Sequence, residues 1–319
     1  MKKIAVYVLN GFLGSGKTTI LLKMIEQYKQ ENKKVAVILN ELGTVNVETH
    51  LFKDQQLIEL LNGCICCTIQ DDLHETLKAL VVQHEEENID VLLIEGTGVA
   101  HPLEIAEVFA FEDLEEVFEM ESIIGIVDAS HFLDYLSIFS SSKEIRTLLR
   151  EQVRHSSIIV LNKIDCVDDK QFLKTRQKID SLINDGVPVM TATYGDIHLE
   201  EIRKKRFGQM ESLPSTSSQP HQNLGSHHGT IQMVKIEYVQ MVDKHNLTTW
   251  LNNLPKEVIR AKGLIQFSGD SHLTHIQFAD KLVRYTAMDR NDERKPMFVF
   301  IGKDISKEMF QDFPHRIGF

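Results

Sequence analysis

With 319 residues the chain is long enough for one large hydrophobic core and a smaller second one. Its 46 acidic against 35 basic residues leave a formal charge of −11, and no long basic run offsets it, which argues against nucleic acid as the main partner. No stretch approaches 18 uninterrupted apolar residues, and Met1-Lys2-Lys3 runs into an apolar segment without a cleavage site, so the expectation is a soluble cytoplasmic protein with no membrane partner.

The first predicted element is a strand from Ile4 to Leu9, followed by Gly11-Phe12-Leu13-Gly14-Ser15-Gly16-Lys17-Thr18 and then by apolar residues at helical spacing from Thr18 to Ile25. Strand, glycine-rich loop and helix together make a complete P-loop. Glycines let consecutive backbone N–H groups turn inward around phosphates, Lys17 adds a point charge, and the Thr18 hydroxyl can ligate Mg²⁺. Gly11, Gly14, Ser15, Gly16, Lys17, Thr18 and Thr19 are therefore the expected phosphate-binding residues of a nucleoside triphosphate site.

A second strand begins near Val35 and runs into Asn40-Glu41-Leu42-Gly43. Beyond it, Glu59-Leu60-Leu61 ends in an Asn62-Gly63 turn, and Cys64-Ile65-Cys66-Cys67 follows. Thiolates are soft, strong ligands for Zn²⁺, Co²⁺ or Cu⁺. Three thiols in one loop supply two or three ligands but do not close a tetrahedral site, and adjacent cysteines do not easily hold the same ion. The cluster reads as half a site, open to water, to another side chain or to an exchanging partner, with Glu41 the best candidate for an added ligand. Buried small hydrophobes or a redox pair are the competing readings. Four cysteines are too few for a disulfide scaffold, which suits a reducing compartment; Cys166 stands apart and reads as an inert thiol.

The strand Val91 to Ile94 ends in Glu95-Gly96-Thr97-Gly98. Opposite a P-loop, Glu95 can hold Mg²⁺ through water or orient the attacking water, while the Gly98 N–H can sense a gamma-phosphate. Lys17, Glu95 and Gly98 are the candidate catalytic residues, and Thr18 and Glu95 the candidate magnesium ligands. Further strands begin near Ile123, Ile158 and Val187. Asn162-Lys163-Ile164-Asp165 follows the Ile158 strand. A carboxylate there can accept two hydrogen bonds from guanine's N1–H and exocyclic amine, a donor pair that adenine lacks, so GTP is favoured over ATP. The Lys163 stem can pack on the base while Asn162 ties loops together. Thr191-Ala192-Thr193 either completes the base pocket with backbone amides or is an ordinary strand-to-helix loop.

Alternation of apolar strands with amphipathic helices implies an α/β fold with a mostly parallel sheet, and ligands at the carboxyl ends of its strands. The expected organisation is a P-loop GTPase domain over 1–207, a flexible linker over 208–229 rich in Ser, Pro, Gln and His, and a smaller α+β domain over 230–319. In the last, strands are expected from Met233 to Val239, Val258 to Phe267, Leu273 to Phe278 and Met297 to Ile301, with helices around Leu247 to Leu254 and at the terminus. Trp250 falls at core-packing spacing in the first of these helices.

Taken together, Gly11 to Thr19, Asn40 to Gly43, Leu61 to Thr68, Glu95 to Pro102, Asn162 to Asp165, and Leu254-Pro255 through Gly263 resemble the CobW-type metal-chaperone GTPases, in the broad class of the urease and hydrogenase nickel-insertion GTPases. The resemblance covers most of the chain. It implies GTP hydrolysis coupled to delivery of a transition metal, zinc most often and cobalt in some members, and a C-terminal domain that meets a client metalloprotein. Homo-oligomerisation is also open. Two positions depart from the family pattern: its E-T-T-G reads Glu95-Gly96-Thr97-Gly98, and its A-D-P reads Ala100-His101-Pro102. His101 is either a solvated loop residue or an extra metal ligand. His221, His227 and His228 lie where the family often carries a histidine-rich stretch, and read as a plain loop or a weak metal collector. A P-loop kinase with a structural thiolate metal and a metal-storage or sensing protein are the competing functions. No arginine finger is evident near the P-loop, so slow intrinsic hydrolysis is expected.

Overall fold

A computed structural model describes residues 2–39, 56–59, 68–110, 114–207, 211–213, 231–237, 241–279, 281–288, 295–310 and 313. The chain divides into two compact units, Met1–Phe207 and Gly208–Phe319.

In chain order the first unit contains β1 (Ile4–Asn10), α1 (Lys17–Gln30), β2 (Val35–Leu39), β3 (Gln56–Glu59), α2 (Thr68–Glu87), β4 (Val91–Glu95), α3 (Pro102–Val108), α4 (Leu114–Val117), β5 (Phe118–Asp128), α5 (Phe132–Leu136), α6 (Lys143–Arg154), β6 (Ile158–Asn162), α7 (Asp169–Asp180), β7 (Val189–Thr191) and α8 (Leu199–Ile202). Its seven strands form one sheet in the order β3-β2-β4-β1-β5-β6-β7, and every pairing is parallel. Strands buried on both faces need near-continuous apolar runs, and Ile4 to Leu9, Val35 to Leu39 and Ile158 to Leu161 supply them.

Alternate residues feed opposite faces. Ile158 and Val160 of β6 pack in the core beneath α1. Ile159 and Leu161 pack with Phe132 and Leu136 of α5, Leu149 and Val153 of α6, and Ile179 of α7. Helix α1 buries Ile20, Leu21, Met24, Ile25 and Tyr28 at helical spacing, each worth about 1.5–3 kcal/mol of apolar burial. The P-loop thus leaves the centre of the sheet, between β4 and β5.

Strand β5 starts at Phe118, earlier than the apolar run at Ile123 suggests. Its first half alternates, with Phe118 and Met120 buried and Glu119 and Glu121 half-buried, so continuous hydrophobicity does not mark it. A register irregularity between Val6 and Tyr7 accommodates this longer strand beside β1. The short β3 was not anticipated, and β7 begins two residues after the run that announces it.

The second unit contains β8 (Glu211–Leu213), β9 (Ile231–Glu237), α9 (Lys244–Asn252), β10 (Val258–Gln266), β11 (Leu273–Ala279), β12 (Leu282–Ala287) and β13 (Met297–Lys303). They make a six-stranded sheet in the order β12-β11-β10-β13-β9-β8, antiparallel except for β8 beside β9. Asp243 caps α9, its side chain accepting from the Asn246 N–H, so the helix begins before Leu247. Trp250 packs against Phe300, Phe310 and Phe313, with the Phe313 ring centroid at 4.7 Å.

Two differences from expectation fall in this unit, the first being that strand β12 was not anticipated. Glu211–Leu213, inside the stretch read as linker, is an edge strand held by β9; the rest of 208–229 lies outside the described residues. At the carboxyl end a 3₁₀ turn, Lys307–Phe310, precedes Phe313, which is helical; the rest of the segment expected as a terminal helix lies outside the described residues. No described helix is long and apolar enough to cross a membrane.

Candidate nucleotide and metal site

The phosphate cradle is built from the end of β1 and the first turn of α1. A turn closes it, with the Ser15 N–H donating to the Phe12 carbonyl at 3.2 Å. Gly16 caps α1 at φ 100°, and a Cβ there would lie 2.4 Å from Asn162 Nδ2. The position therefore requires glycine twice over, for its backbone and for its neighbour. Gly11 is buried against the β5 backbone and Gly14 lies exposed on the loop. Lys17 is largely buried, and its ammonium donates to the Phe12 carbonyl at 3.2 Å, which holds it at the loop. Thr19 is exposed on the first turn of α1.

Thr18 and Glu95 meet across this cradle. The Thr18 hydroxyl donates to Glu95 Oε1 at 3.0 Å, although the residues are far apart in sequence. Register explains the meeting, since Glu95 ends β4 opposite Leu9 of β1 and Leu39 of β2. A hydroxyl and a carboxylate converging beside a phosphate cradle form the hard oxygen donor set that suits Mg²⁺. Gly98 is buried against the P-loop: a Cβ there would lie 2.6 Å from Leu13 Cδ2 and 2.9 Å from the Leu13 backbone nitrogen. The Leu13 side chain is exposed and can swing aside, but its backbone cannot. Substituting Gly98→Ala is therefore expected to slow phosphate release from GTP by roughly 10²-fold through displacement of this turn. GDP affinity, measured in the same preparation, should change little.

On the other side, Asn162 ends β6 and joins two loops. Its Nδ2 donates to the Ser15 carbonyl at 3.0 Å, and its Oδ1 accepts from the Gly195 N–H at 3.1 Å. Gly195 lies just past Thr191-Ala192-Thr193, where the Ala192 N–H donates to the Leu161 carbonyl at 2.9 Å. A Cβ on Gly195 would lie 3.2 Å from Thr19 Cγ2, so this loop borders the first turn of α1. Asp165 is exposed in a 3₁₀ turn, with the Cys166 thiol donating to its Oδ2 at 3.6 Å. Lys163, in the left-handed region at φ 60°, donates to Asp128 Oδ2 at 2.7 Å.

Asp128 was not singled out in the sequence, although it ends a strand in an acid as Glu95 does. Burial pushes its carboxyl up, but hydrogen bonds from Lys163 and from the Ser130 side chain and backbone outweigh this and hold it below the usual aspartate range. A depressed folded value means stability that is present above the unfolded pKa and lost as pH falls through the folded one. The melting-temperature advantage of the parent over Asp128→Asn should hold steady from pH 7 to about pH 5 and shrink below about pH 4, as thermal melts across that range would show.

Gln152 was also missed, and nothing about a glutamine inside an amphipathic helix announces it. It is buried on α6 and its Nε2 donates to the carbonyls of Gly98 at 3.1 Å and Ala100 at 3.2 Å. The main-chain carbonyl of Gln152 accepts from Asn10 Nδ2 at 3.4 Å and from Ser156 Oγ at 2.7 Å. The turn after Glu95 is thereby fastened to α6. Glu41, Cys64, Cys66 and Cys67 lie outside the described residues. What the described residues do show is that β2, β3 and β4 end in register, at Leu39, Glu59 and Glu95. Leu39, two residues before Glu41, and Glu59, five residues before Cys64, therefore lie at the same end of the sheet as Glu95.

Residues 5–191 match the CobW/HypB/UreG nucleotide-binding domain model. The chain belongs to this family. Residues 231–313 of this CobW-family chain match the cobalamin synthesis protein cobW C-terminal domain. The zinc chaperone YjiA of Escherichia coli K12 is 33% identical over 322 residues, covering 97% of this chain and 96% of that protein. A zinc-regulated GTPase metalloprotein activator of Dictyostelium discoideum is 31% identical over 234 residues, covering 63% of this chain and 48% of its own length. Among solved structures, the Zn(II)-bound YjiA GTPase from E. coli superposes with a TM-score of 0.51 at 27% identity, covering 99% of each chain.

Proposed function

We propose that this CobW-family chain hydrolyses GTP and uses the cycle to take up and release a transition metal, zinc first and cobalt as a second cargo, for a client metalloprotein. The observation that carries the reading is the packing of Gly98 against the Leu13 backbone, beside the Thr18–Glu95 pair. A gamma-phosphate bound at the cradle meets that turn first. Lys17 and the loop amides bind the phosphates, and the Gly98 N–H reports the terminal one. Glu95 orients the attacking water. Thr18 and Glu95 would hold Mg²⁺, which supplies charge neutralisation at the beta- and gamma-phosphates. Asp165 reads guanine, with the Lys163 stem alongside the base and Asn162 bracing both loops.

The cargo site is assigned to Cys64, Cys66 and Cys67 with Glu41, on the chain segments that follow Leu39 and Glu59, whose strands end in register with Glu95. Thiolates with one carboxylate suit a borderline-to-soft ion. If gamma-phosphate contacts order this region and hydrolysis releases it, metal affinity must differ between nucleotide states, and zinc must shift nucleotide affinity by the same factor. Competitive zinc titration of the full chain is expected to give at least about fivefold tighter binding with a non-hydrolysable GTP analogue than with GDP, both with Mg²⁺ present. Equal affinities would remove the coupling. Replacing Cys64, Cys66 and Cys67 should abolish client metallation while GTP affinity persists. We place this cycle in the cytoplasm, and a homo-oligomeric assembly belongs to the same proposal.

A further inference from the structure

Outside the phosphate cradle and the cysteine segment, three metal-ligating side chains converge. His101, Glu151 and His155 each offer a ligand atom, and these atoms all lie within 4.8 Å of one another. His155 Nδ1 stands 3.4 Å from Glu151 Oε2, and the His101 and His155 ring centroids are 5.2 Å apart. Two ligands of one tetrahedral zinc ion stand about 3.3 Å apart, given bonds of about 2.0–2.1 Å, so the His155–Glu151 pair already has the required spacing. Bringing His101 to the same spacing takes a shift of at most about 1.5 Å, within reach of a side-chain rotation.

Local structure makes the convergence systematic. Glu151 lies in the last turn of α6 and His155 caps its carboxyl end, an i,i+4 pair on one helix face. His101 caps the amino end of α3 with extended backbone. Gln152, next to Glu151, fastens the Gly98 and Ala100 carbonyls to α6, and so brings the residue that follows them against the pair. His155 is buried, while His101 and Glu151 are half-buried, so the cluster has a protein floor and an accessible side.

We propose that His101, Glu151 and His155 form a second transition-metal site, distinct from the cysteine cluster, whose occupancy is coupled to the turn carrying Gly98. Two imidazoles and a carboxylate suit Zn²⁺, Co²⁺ or Ni²⁺ and not Mg²⁺ or Ca²⁺, which take oxygen ligands. Three protein ligands leave a position for water or an exchanging ligand, so the site holds an ion in transit and not a structural one. Arg154 Nη1 lies 3.1 Å from Glu151 Oε1, and metal binding would compete with this half-exposed pair for the carboxylate. An ion bridging α6 and His101 clamps the segment that starts three residues earlier at Gly98, in addition to the Gln152 hydrogen bonds. On the proposed function, nucleotide exchange at the cradle moves the same segment, so each event biases the other.

The experiment uses the full-length chain with Cys64, Cys66 and Cys67 all changed to serine, which removes thiolate competition and makes the result independent of the cargo-site reading. Titration with Co²⁺ should show one equivalent bound, with visible d–d absorption and no thiolate charge-transfer band, and Zn²⁺ should displace it. Adding His101→Asn, and separately Glu151→Gln, should each weaken Co²⁺ binding at least about tenfold. Because His155 is buried, the half-buried His101 carries the main test, and metal-free thermal melts confirm that each variant folds. The site is overturned if the cysteine-free chain binds no stoichiometric Co²⁺, or if His101→Asn binds it as tightly as its parent. The coupling predicts about a fivefold or greater difference in Co²⁺ affinity between GDP and a non-hydrolysable GTP analogue in the cysteine-free chain. Equal affinities in the two states overturn the coupling.

Discussion

Lys17→Ala is expected to lower the rate of GTP hydrolysis by at least about 10²–10³-fold, as phosphate release under saturating nucleotide would measure. The ammonium sits within the cradle, held by the Phe12 carbonyl at 3.2 Å, so it is pre-positioned at the loop that receives the phosphates. A fixed charge in a water-poor site needs no reorganisation when negative charge moves during gamma-phosphoryl transfer. Alanine removes that charge and opens no alternative cation among the loop residues Gly11 to Thr18, where Lys17 is the sole basic side chain. Fold stability should survive, because α1 is anchored by Ile20, Leu21, Met24 and Ile25 and not by Lys17. Turnover within a few-fold of the parent would mean that another group neutralises the phosphates.

The second large effect concerns the base. Asp165→Asn should weaken GTP binding by roughly 10²–10⁴-fold, since of two charge-assisted hydrogen bonds worth about 1.5–3 kcal/mol each, one becomes a donor–donor clash and the other loses its charge. An asparagine amide turns one of its donors toward guanine's exocyclic amine, which is itself a donor. Xanthine carries a carbonyl at that position, so the variant should prefer xanthosine triphosphate. Competitive displacement of a fluorescent GDP by GTP, XTP and ATP measures both changes. Asp165 is exposed in a short 3₁₀ turn, so its replacement leaves the core intact and the readout is recognition, not stability. An unchanged preference for GTP would assign base reading to other residues.

The nucleotide-facing half of the fold was legible because its chemistry is written in short contiguous stretches. A P-loop needs a strand before it and a helix after it, and both are visible as hydrophobic periodicity around Gly11 to Thr18. Parallel strands buried on both faces announce themselves as apolar runs, which is why β1, β2, β4 and β6 were found. Strands that bury one face or lie at an edge were not: β12 places Leu282, Arg284, Thr286 and Ala287 in solvent, so little apolar signal remains. The first half of β5 interleaves glutamates with buried residues for the same reason. Long-range polar contacts were invisible in principle. Gln152 fastening the Gly98 turn, Lys163 pairing with Asp128, and His101 meeting Glu151 and His155 all join segments whose proximity only the sheet order dictates.

Asn162 has a consequence for how nucleotide leaves. One amide group clasps the Ser15 carbonyl with its nitrogen and the Gly195 N–H with its oxygen, so the two loops proposed to hold the phosphate and base ends of the ligand share a single rivet. Neither end can slacken while the other stays taut. Departure should then be concerted, a single-exponential event without a half-released intermediate, and fragments that engage only guanosine or only pyrophosphate should bind far more weakly than their share of the whole ligand suggests.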